Sequence, residues 1–188
     1  MIEKELLRKL KRKDEKAFEE LVDNYQKKIF GLINILGGDP GSSEDLAQEI
    51  FLRIFKGIPY FKARAKLSTW IYRIAYNTCL AEMKKKAKSS ALLSAQEVEN
   101  MPDRFHFLSG SKISANELEK IDLEKRMKKT LNMLPPDYRA VLTLFYWNEL
   151  SYQEIAEAMK MPLGTVKTYL HRARNLLKQK IMEEGNGL

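Results

Sequence analysis

Apolar residues recur along residues 18–36 at the three- and four-residue spacing of an amphipathic helix. Residues 37–40 read Gly-Gly-Asp-Pro, a combination typical of turns, so the pattern predicts that this helix ends there. A second helix is predicted to begin at Ser42, because Ser42 and Asp45, three residues later, match the capping box of a helix start. Pro59 is predicted to end this second helix.

Residues 67–86 predict a third helix whose two sides have different characters. Its core-facing positions are Leu67, Ile71, Ile74, Thr78 and Ala81. The other side is not simply polar, and its softer stripe consists of Tyr72, Tyr76, Cys79 and Met83. These rings either contact a ligand or pack on a neighbouring helix, and the pattern leaves both interpretations open. The lysines within residues 84–88 likewise suit either phosphates or a solvated helix end.

The helical pattern fades between about residues 87 and 116, where Ser, Ala, Gly and Asn are frequent, and this composition predicts a linker. Further helices are predicted over residues 117–133, 136–147, 151–160 and 162–182, and no strand pattern is longer than a few residues. The sequence therefore predicts an all-α fold with two small helical domains joined by a flexible linker. The predicted boundaries are residues 1–88 for the first domain, 89–119 for the linker and 120–188 for the second domain.

Charge suggests a polyanionic partner without deciding the matter. The 188 residues include 33 Lys and Arg against 25 Asp and Glu, which gives a net charge of +8, and two basic blocks flank an acidic one. Such a balance suits nucleic acid or an anionic membrane surface, but it also occurs in proteins with merely solvated lysines.

Cysteine and histidine are scarce. The single cysteine excludes an internal disulfide, and only two histidines leave no metal-ligand cluster, so we expect neither a metal nor another cofactor. No apolar run approaches the roughly 18 residues of a membrane helix, and the charged residues 1–13 do not resemble a signal peptide. We therefore expect a cytoplasmic protein.

The strongest motif lies near the C-terminus. Ser151 and Glu154 form another capping-box pattern, and Ala156 and Val166 stand ten residues apart, like the small and the apolar position of a helix-turn-helix. The predicted buried stripe of its second helix is Leu163, Val166, Leu170, Ala173 and Leu177. Donors left on the other faces are Thr165, Lys167, Thr168, His171, Arg172 and Lys178. A helical hairpin with a solvated basic face remains the alternative, because Lys160 stands where many such turns have Gly.

The stretch LPPDYRAVLTLFYW and the helix-turn-helix after it resemble region 4 of bacterial sigma factors of the extracytoplasmic-function (ECF) group. In the other half, SSEDLAQEIFLRIFKGI resembles region 2.2 of that group, and KARAKLSTWIYRIAYNTCLAEMKKK resembles its regions 2.3 and 2.4. These matches cover most of residues 15–86 and 120–181. They stand in the order of the family, with a linker and no region 3 between them.

The resemblance implies a promoter-specificity subunit that has no catalysis of its own and no small-molecule substrate. Its implied partners are core RNA polymerase and promoter DNA, both as duplex and as the melted non-template strand. On the polymerase, it implies contacts with the clamp helices of the largest subunit and the flap of the second-largest subunit. Members of the group are commonly held inactive by a dedicated anti-sigma factor, so the resemblance implies that partner as well.

Three sets of residues match the family positions that make these contacts. The set implied for the clamp helices, with Leu52 as an apolar anchor, is Asp45, Gln48, Glu49 and Leu52. The set implied for recognising and opening the minus-ten promoter element is Phe61, Lys62, Arg64, Lys66, Thr69, Trp70, Arg73, Tyr76 and Asn77. The set implied for the minus-thirty-five element, read as duplex in the major groove, is Thr165, Lys167, Thr168, His171, Arg172 and Arg174.

The residues alone leave alternatives open. A conventional transcription regulator could use the same helix-turn-helix, with residues 1–88 as a dimerisation or effector domain, and would bind duplex DNA as a dimer. An enzyme acting on nucleic acid is a further alternative, although the chain has no GxxxxGK[ST] loop and no nucleophile beside a base in a recognisable motif. Within the minus-ten set, Trp70 also suits a structural wedge, and a single exposed leucine such as Leu52 often has no function.

Overall fold

The computed structural model of the chain describes residues 2–36, 40–92, 127 and 129–185. The first domain contains α1 (Ile2–Lys11), α2 (Glu15–Ile35), α3 (Pro40–Gly57), a 3-10 helix (Ile58–Tyr60) and α4 (Leu67–Leu92). The second contains α5 (Pro136–Tyr146), α6 (Tyr152–Met159) and α7 (Leu163–Gly185), and residues 129–132 are helical too. The described residues form no strand, which confirms the predicted all-α fold. Among these helices, none combines the length and apolarity needed to cross a lipid bilayer.

Helix α2 starts at a side-chain cap that the sequence analysis did not predict. The Asp14 carboxylate accepts a hydrogen bond from the backbone N–H of Ala17 at 2.9 Å. This bond satisfies one of the N–H groups that the first turn of a helix leaves unpaired. The predicted end is confirmed, since α2 stops at Ile35 and the N–H of Leu36 donates to the carbonyl of Leu32 at 3.0 Å.

Helix α3 begins at Pro40, two residues before the predicted start, so the predicted capping box at Ser42 is wrong. Proline suits the first turn of a helix, because its fixed φ is helical and it has no N–H to leave unpaired. Ser42 lies inside α3 instead, and its hydroxyl accepts a hydrogen bond from Lys86 Nζ at 3.0 Å. One of the lysines predicted to bind phosphate or solvent therefore has a partner within the protein.

The core of the first domain lies where α2, α3 and α4 meet. Its fully buried side chains include Leu21, Ile29, Leu32, Ile50, Ile54 and Ile71. Burial of each such aliphatic side chain contributes roughly 1.5–3 kcal/mol to folding. The predicted core-facing side of α4 is confirmed at Leu67, Ile71 and Thr78, whereas Ala81 is exposed and Ala75 is buried in the core instead.

The end of α4 lies beyond the predicted end of the first domain at residue 88, because the helix continues to Leu92. The rest of the predicted linker lies outside the described residues, and so does most of the predicted helix over 117–133. The boundary between linker and second domain therefore stays a prediction.

The second domain contains the predicted helix-turn-helix. The capping box at its start is confirmed: the Ser151 hydroxyl accepts from the N–H of Glu154 at 3.3 Å, and the Glu154 carboxylate accepts from the N–H of Ser151 at 2.8 Å. Helix α6 ends at Lys160, whose φ of 53° and ψ of 47° are left-handed. Val166, Leu170 and Ala173 of the predicted stripe are buried, Leu177 is half-buried and Leu163 is exposed.

The two domains pack against each other, with α6 on α4 and α5 on α2. As a result, α4 is covered on two sides, by α2 and α3 on its core-facing side and by the second domain on its aromatic side. Tyr72 and Tyr76 are only 1% and 5% exposed. Of the two interpretations left open for these rings, packing on neighbouring helices is the one that the structure shows.

We expect Lys160→Gly to stabilise the second domain by about 0.5 kcal/mol. The left-handed conformation costs a non-glycine residue at least about 1 kcal/mol, and roughly half of the gain is lost because Gly has more freedom in the unfolded chain. The measurement is the free energy of unfolding from urea titrations followed by circular dichroism. Glu157→Gly, in the exposed middle of α6, is the control and should lose about 1 kcal/mol. A lower free energy of unfolding for Lys160→Gly than for the parent protein would contradict the left-handed geometry of this turn.

Candidate DNA-binding and polymerase-binding surfaces

Helix α3 presents the set predicted for the clamp helices on one face. Leu46, Ile50 and Ile54 fix the orientation of the helix because they are buried on its opposite face. Outward-facing positions include three exposed residues, Asp45, Gln48 and Leu52, and the half-buried Glu49. Glu49 Oε1 accepts from Arg53 Nε at 2.6 Å, an exposed i,i+4 pair on the same helix. The result is a mixed polar surface with a leucine side chain, 45% exposed, in its middle.

Phe61 and the half-buried Trp70 of the minus-ten set pack on each other. Their ring centroids lie 5.2 Å apart, and Phe61 is buried. The Trp70 ring also fits against the backbone of Gly57, where a Cβ atom would meet it at 3.0 Å. This close approach favours glycine at the end of α3, because with any other residue the ring would have to shift by a few tenths of an ångström. Trp70 therefore packs between Phe61 and Gly57, as a structural wedge would, and its role at the minus-ten element stays a prediction.

The loop between the 3-10 helix and α4 carries the exposed cations of the minus-ten set. Lys62, Arg64 and Lys66 all project from residues 61–66, while Ala63 between them has a left-handed φ of 51°. Arg73 is half-buried and Asn77 is exposed on α4. The structure thus brings these five polar residues to one end and one side of α4, separately from the buried Phe61, Thr69 and Tyr76.

Tyr76 connects the two domains through its hydroxyl group, which donates a hydrogen bond to Asp137 Oδ1 at 3.0 Å. Burial and the nearby Asp137 carboxylate both raise the pKa of Tyr76 above its usual range. Burial raises the pKa of Tyr72 to about 12, and its ring lies 6.0 Å from that of Tyr25 on α2. Both hydroxyls are therefore protonated donors throughout the physiological range.

Lys66 makes another polar contact between the domains, since its ammonium lies 2.9 Å from Glu154 Oε1. Burial would raise the pKa of Glu154, but the hydrogen bonds from Ser151 and the Lys66 ammonium outweigh it and lower the pKa to about 2. Glu154 is therefore charged at neutral pH, and it serves both the cap of α6 and a residue of the predicted minus-ten set.

The six residues predicted for the minus-thirty-five element lie on two strips of α7. At 3.6 residues per turn, one strip carries Thr165, Thr168 and Arg172, and the other carries Lys167, His171 and Arg174. All are exposed except the half-buried Thr165. Arg174 differs from the rest in its contacts, because its guanidinium lies over the rings of Phe145 and Tyr146 at 5.4 and 5.5 Å.

An apolar groove of about 600 Å³ runs between α5 and the end of α7, and the sequence analysis did not predict this groove. Its lining includes Tyr146, Trp147, Arg174, Ile181 and Met182. Trp147, Ile181 and Met182 are each at least 50% exposed. The available signal was the aromatic run FYW at the end of a helix, where the last two rings fall outside the buried stripe.

Cys79 is a packing residue. It is 2% exposed in the core of the first domain, and burial raises its pKa to about 12. A buried thiol with so high a pKa is unreactive, because the thiolate is the nucleophile.

Fold and surfaces together define a two-domain helical protein with a helix-turn-helix, and two family models match it in the predicted order. The model of Sigma-70 region 2 matches residues 21–89, and that of Sigma-70, region 4 matches residues 124–177. ECF RNA polymerase sigma factor SigW of Bacillus subtilis is 33% identical over 185 residues, which cover 97% of this chain and 98% of SigW. ECF RNA polymerase sigma-E factor of Escherichia coli K12 is 32% identical over 186 residues, which cover 94% of this chain and 92% of that protein.

The chain therefore belongs to the extracytoplasmic-function group of the sigma-70 family. It is an alternative sigma factor, which directs promoter recognition at the start of transcription.

Two solved structures share its fold. One is CnrH in complex with the cytosolic domain of CnrY, with a TM-score of 0.71 at 17% identity over 97% of this chain and 99% of that one. The other is the sigma factor RpoE in complex with the anti-sigma factor NepR, from Bartonella quintana. Its TM-score is 0.67 at 24% identity, and the match covers 89% of this chain and 98% of that one.

We expect iodoacetamide to leave Cys79 unmodified in the native protein, because the buried thiol is protonated and inaccessible. The measurement is the mass of the intact protein after reaction at pH 8.5, with urea-unfolded protein as the reference for full modification. An Asn77→Cys variant, exposed two residues away on α4, serves as the control and should react fully at its new thiol. Equal rates at Cys79 in native and unfolded protein would contradict its burial.

Proposed function

We propose that this sigma factor contacts promoter DNA through two separate surfaces and core RNA polymerase through two others. The observation that carries the proposal is the exposure of four chemically distinct surfaces. They are the cationic loop before α4, the two outer strips of α7, the polar face of α3 and the apolar groove between α5 and α7. The chain itself would supply no chemistry, because the polymerase forms the RNA, and it would act in the cytoplasm where promoters and polymerase meet.

The strips of α7 are proposed to read the minus-thirty-five element in the major groove. One strip carries Thr165, Thr168 and Arg172. The other strip has Lys167 and His171 exposed beside the first. Arginine suits the paired acceptors of guanine, while lysine and threonine suit phosphates and single acceptors. Arg174 is the weakest member of this set, since its guanidinium already lies over two rings at the groove.

The loop before α4 is proposed to hold the melted non-template strand of the minus-ten element. Lys62, Arg64 and Lys66 supply positive charge along the strand, and Arg73 and Asn77 extend the surface along α4. Phe61 and Trp70 are proposed to act indirectly, as the packed wedge that fixes the loop. Thr69 and Tyr76 reach DNA only when the second domain moves away, because both are buried in the described arrangement.

The polar face of α3 is proposed to bind the clamp helices of the polymerase largest subunit, with Leu52 as its anchor and Asp45, Gln48 and Glu49 as its rim. The apolar groove is proposed to receive the flap of the second-largest subunit, since its exposed Trp147, Ile181 and Met182 suit an apolar segment of another chain. A dedicated anti-sigma factor, as in the Bartonella quintana complex, is proposed to compete for these surfaces.

The direct test of this function is run-off transcription of fragmented genomic DNA from the source bacterium with purified core polymerase, with and without this protein. New RNA ends that share two short upstream elements at a fixed spacing would support the proposal. If no new ends are found while the protein alone shifts duplex DNA as a dimer, the regulator alternative is correct instead.

On a promoter found in this way, Arg172→Ala should weaken the open complex by about 1–3 kcal/mol and relax specificity at one base pair, if Arg172 contacts guanine. The measurement is transcription from a set of single-base promoter variants. Lys180→Ala, near the end of the same helix and paired with Glu183, removes the same charge and should change neither quantity. If Arg172→Ala leaves affinity and promoter choice unchanged, Arg172 is not part of the DNA surface.

The double substitution Asp45→Ala and Glu49→Ala should weaken binding to core polymerase by about tenfold, because it removes two charges from the rim of the proposed clamp surface. The measurement is a fluorescence titration of labelled protein with core enzyme. The matched control is Glu19→Ala with Glu20→Ala, two exposed carboxylates on α2. Normal binding by the α3 variant, or equal loss in the control, would refute the assignment.

A further inference from the structure

Lys13 stands at the corner between α1 and α2 in a backbone conformation that lysine seldom adopts. Its φ is 60°, in the left-handed region. The N–H of Lys13 donates to the carbonyl of Leu10 at 3.0 Å, and the N–H of Asp14 donates to the carbonyl of Lys9 at 3.2 Å. These two bonds form a Schellman motif, in which glycine is the usual residue at the left-handed position. Lysine makes this corner less stable than glycine would, so the turn itself gives no reason for its side chain.

The corner is fixed from both sides, which gives the Lys13 side chain a defined place. Leu10 is buried and anchors the end of α1, while Asp14 caps the start of α2. The Lys13 ammonium lies 5.9 Å from the ring centroid of Phe55 on α3, and that ring packs edge-on against Phe18 with centroids 5.0 Å apart. A distance of 5.9 Å is at the outer limit of a cation–π contact, so the ring attracts the ammonium only weakly. Among the residues that the structure describes, no carboxylate forms an ion pair with it.

Phe55 places this ammonium at the border of the surface proposed for the clamp helices. Gln48, Leu52 and Phe55 follow one another at spacings of four and three residues, so they form one row along α3. Gln48 and Leu52 belong to the proposed clamp surface, and the half-buried Phe55 ends the row. The row therefore leads from that surface directly to Lys13.

Charge divides the enlarged surface into two ends. The part of α3 before Leu52 contributes the carboxylates of Asp45 and Glu49, whereas the part after it contributes the exposed Lys56. The corner beside that second part is basic, since residues 8–16 include six Lys and Arg against two Asp and Glu. An exposed leucine between an acidic and a basic end suits a protein partner whose charges are arranged in the opposite order.

We propose that Lys13 is a further polymerase-binding residue, whose ammonium pairs with a carboxylate on the polymerase at the edge of the clamp helices. This inference rests on the proposed function of the α3 face as a polymerase-binding surface. The contact with Phe55 holds the side chain beside α3 and leaves the ammonium available to a partner. A charge at the rim of an interface speeds association and orients docking, and salt weakens its effect. The strained corner thus serves to hold one cation next to α3.

Two substitutions at Lys13 separate its charge from its backbone strain. Lys13→Gln removes the charge but keeps an unbranched side chain in the left-handed conformation. Lys13→Gly removes the charge and the strain together. The matched controls are Lys160→Gln and Lys160→Gly, because Lys160 is another exposed lysine with a left-handed φ, of 53°, and it lies in the second domain.

The measurement is the dissociation constant for core polymerase, from a fluorescence titration of the labelled full-length protein at low and at high salt. We expect both Lys13 variants to bind about three- to fivefold more weakly at low salt, which is the effect of losing one exposed ion pair. The difference should shrink at high salt, and Lys13→Arg should bind like the parent protein. Both Lys160 controls should bind like the parent protein as well.

Urea unfolding shows whether weaker binding has a structural cause. Lys13→Gly should unfold at a urea concentration no lower than that of the parent protein, because glycine suits the left-handed position. A variant that is at least as stable as the parent protein but binds core polymerase more weakly has lost a contact, and its fold is intact.

Binding of Lys13→Gln as tight as that of the parent protein would overturn the proposal. An equal loss in the Lys160 controls, or a loss that high salt does not reduce, would overturn it too. If the Lys13 variants lose affinity for a short single-stranded DNA and keep their affinity for core polymerase, the corner binds DNA and the proposal is wrong. A parent protein that does not bind core polymerase at all is a separate result, which would contradict the proposed function itself.

Discussion

The aromatic side of α4 is the surface on which the two domains of this sigma factor pack against each other. On its other side, α4 completes the core of the first domain through residues such as Ile71 and Ala75. Tyr72 and Tyr76 then extend the burial across to the second domain, so that one helix is the shared wall of both. The same helix lies within the residues that the region 2 family model matches, and the second domain covers one side of it.

Charge complements this packing of the two domains. The loop before α4 is basic, and the second domain meets it and α4 with two carboxylates, Asp137 and Glu154. Glu154 also closes the capping box of α6, which holds its carboxylate in place next to Lys66 and keeps its pKa low. A residue that a sequence pattern assigns only to helix capping therefore has a second contact, made possible by the packing of the two domains.

Features set by local physical chemistry could be predicted from sequence. Helix periodicity located α2 and the buried stripe of α7, and the Ser151 capping box followed from the side chains that satisfy a helix start. The capping box predicted at Ser42 failed because Pro40 is itself a good first residue of a helix. Motif matching correctly indicated the family. The four residues that it implied for the clamp helices lie on one face of α3, where their role stays a prediction.

Features set by packing between distant parts of the chain could not be predicted in this way. Whether Tyr76 and Thr69 are exposed depends on where the second domain lies, and no local pattern encodes that. The same holds for Arg174, which was predicted to contact DNA with its neighbours on α7 but stacks on Phe145 and Tyr146 of another helix. The apolar groove requires residues from α5 and α7 together, so its outline was visible only in the fold.

The central claim is that one chain holds two separate promoter elements through two separate surfaces. It is tested most directly by placing a photocrosslinking amino acid at Asn77 or at Thr168 and mapping the crosslinked nucleotides in an open complex with polymerase. We expect Asn77 to crosslink to the non-template strand of the melted downstream element and Thr168 to the duplex of the upstream element. Crosslinks from both positions to the same element, or from Asn77 to duplex DNA alone, would contradict the account.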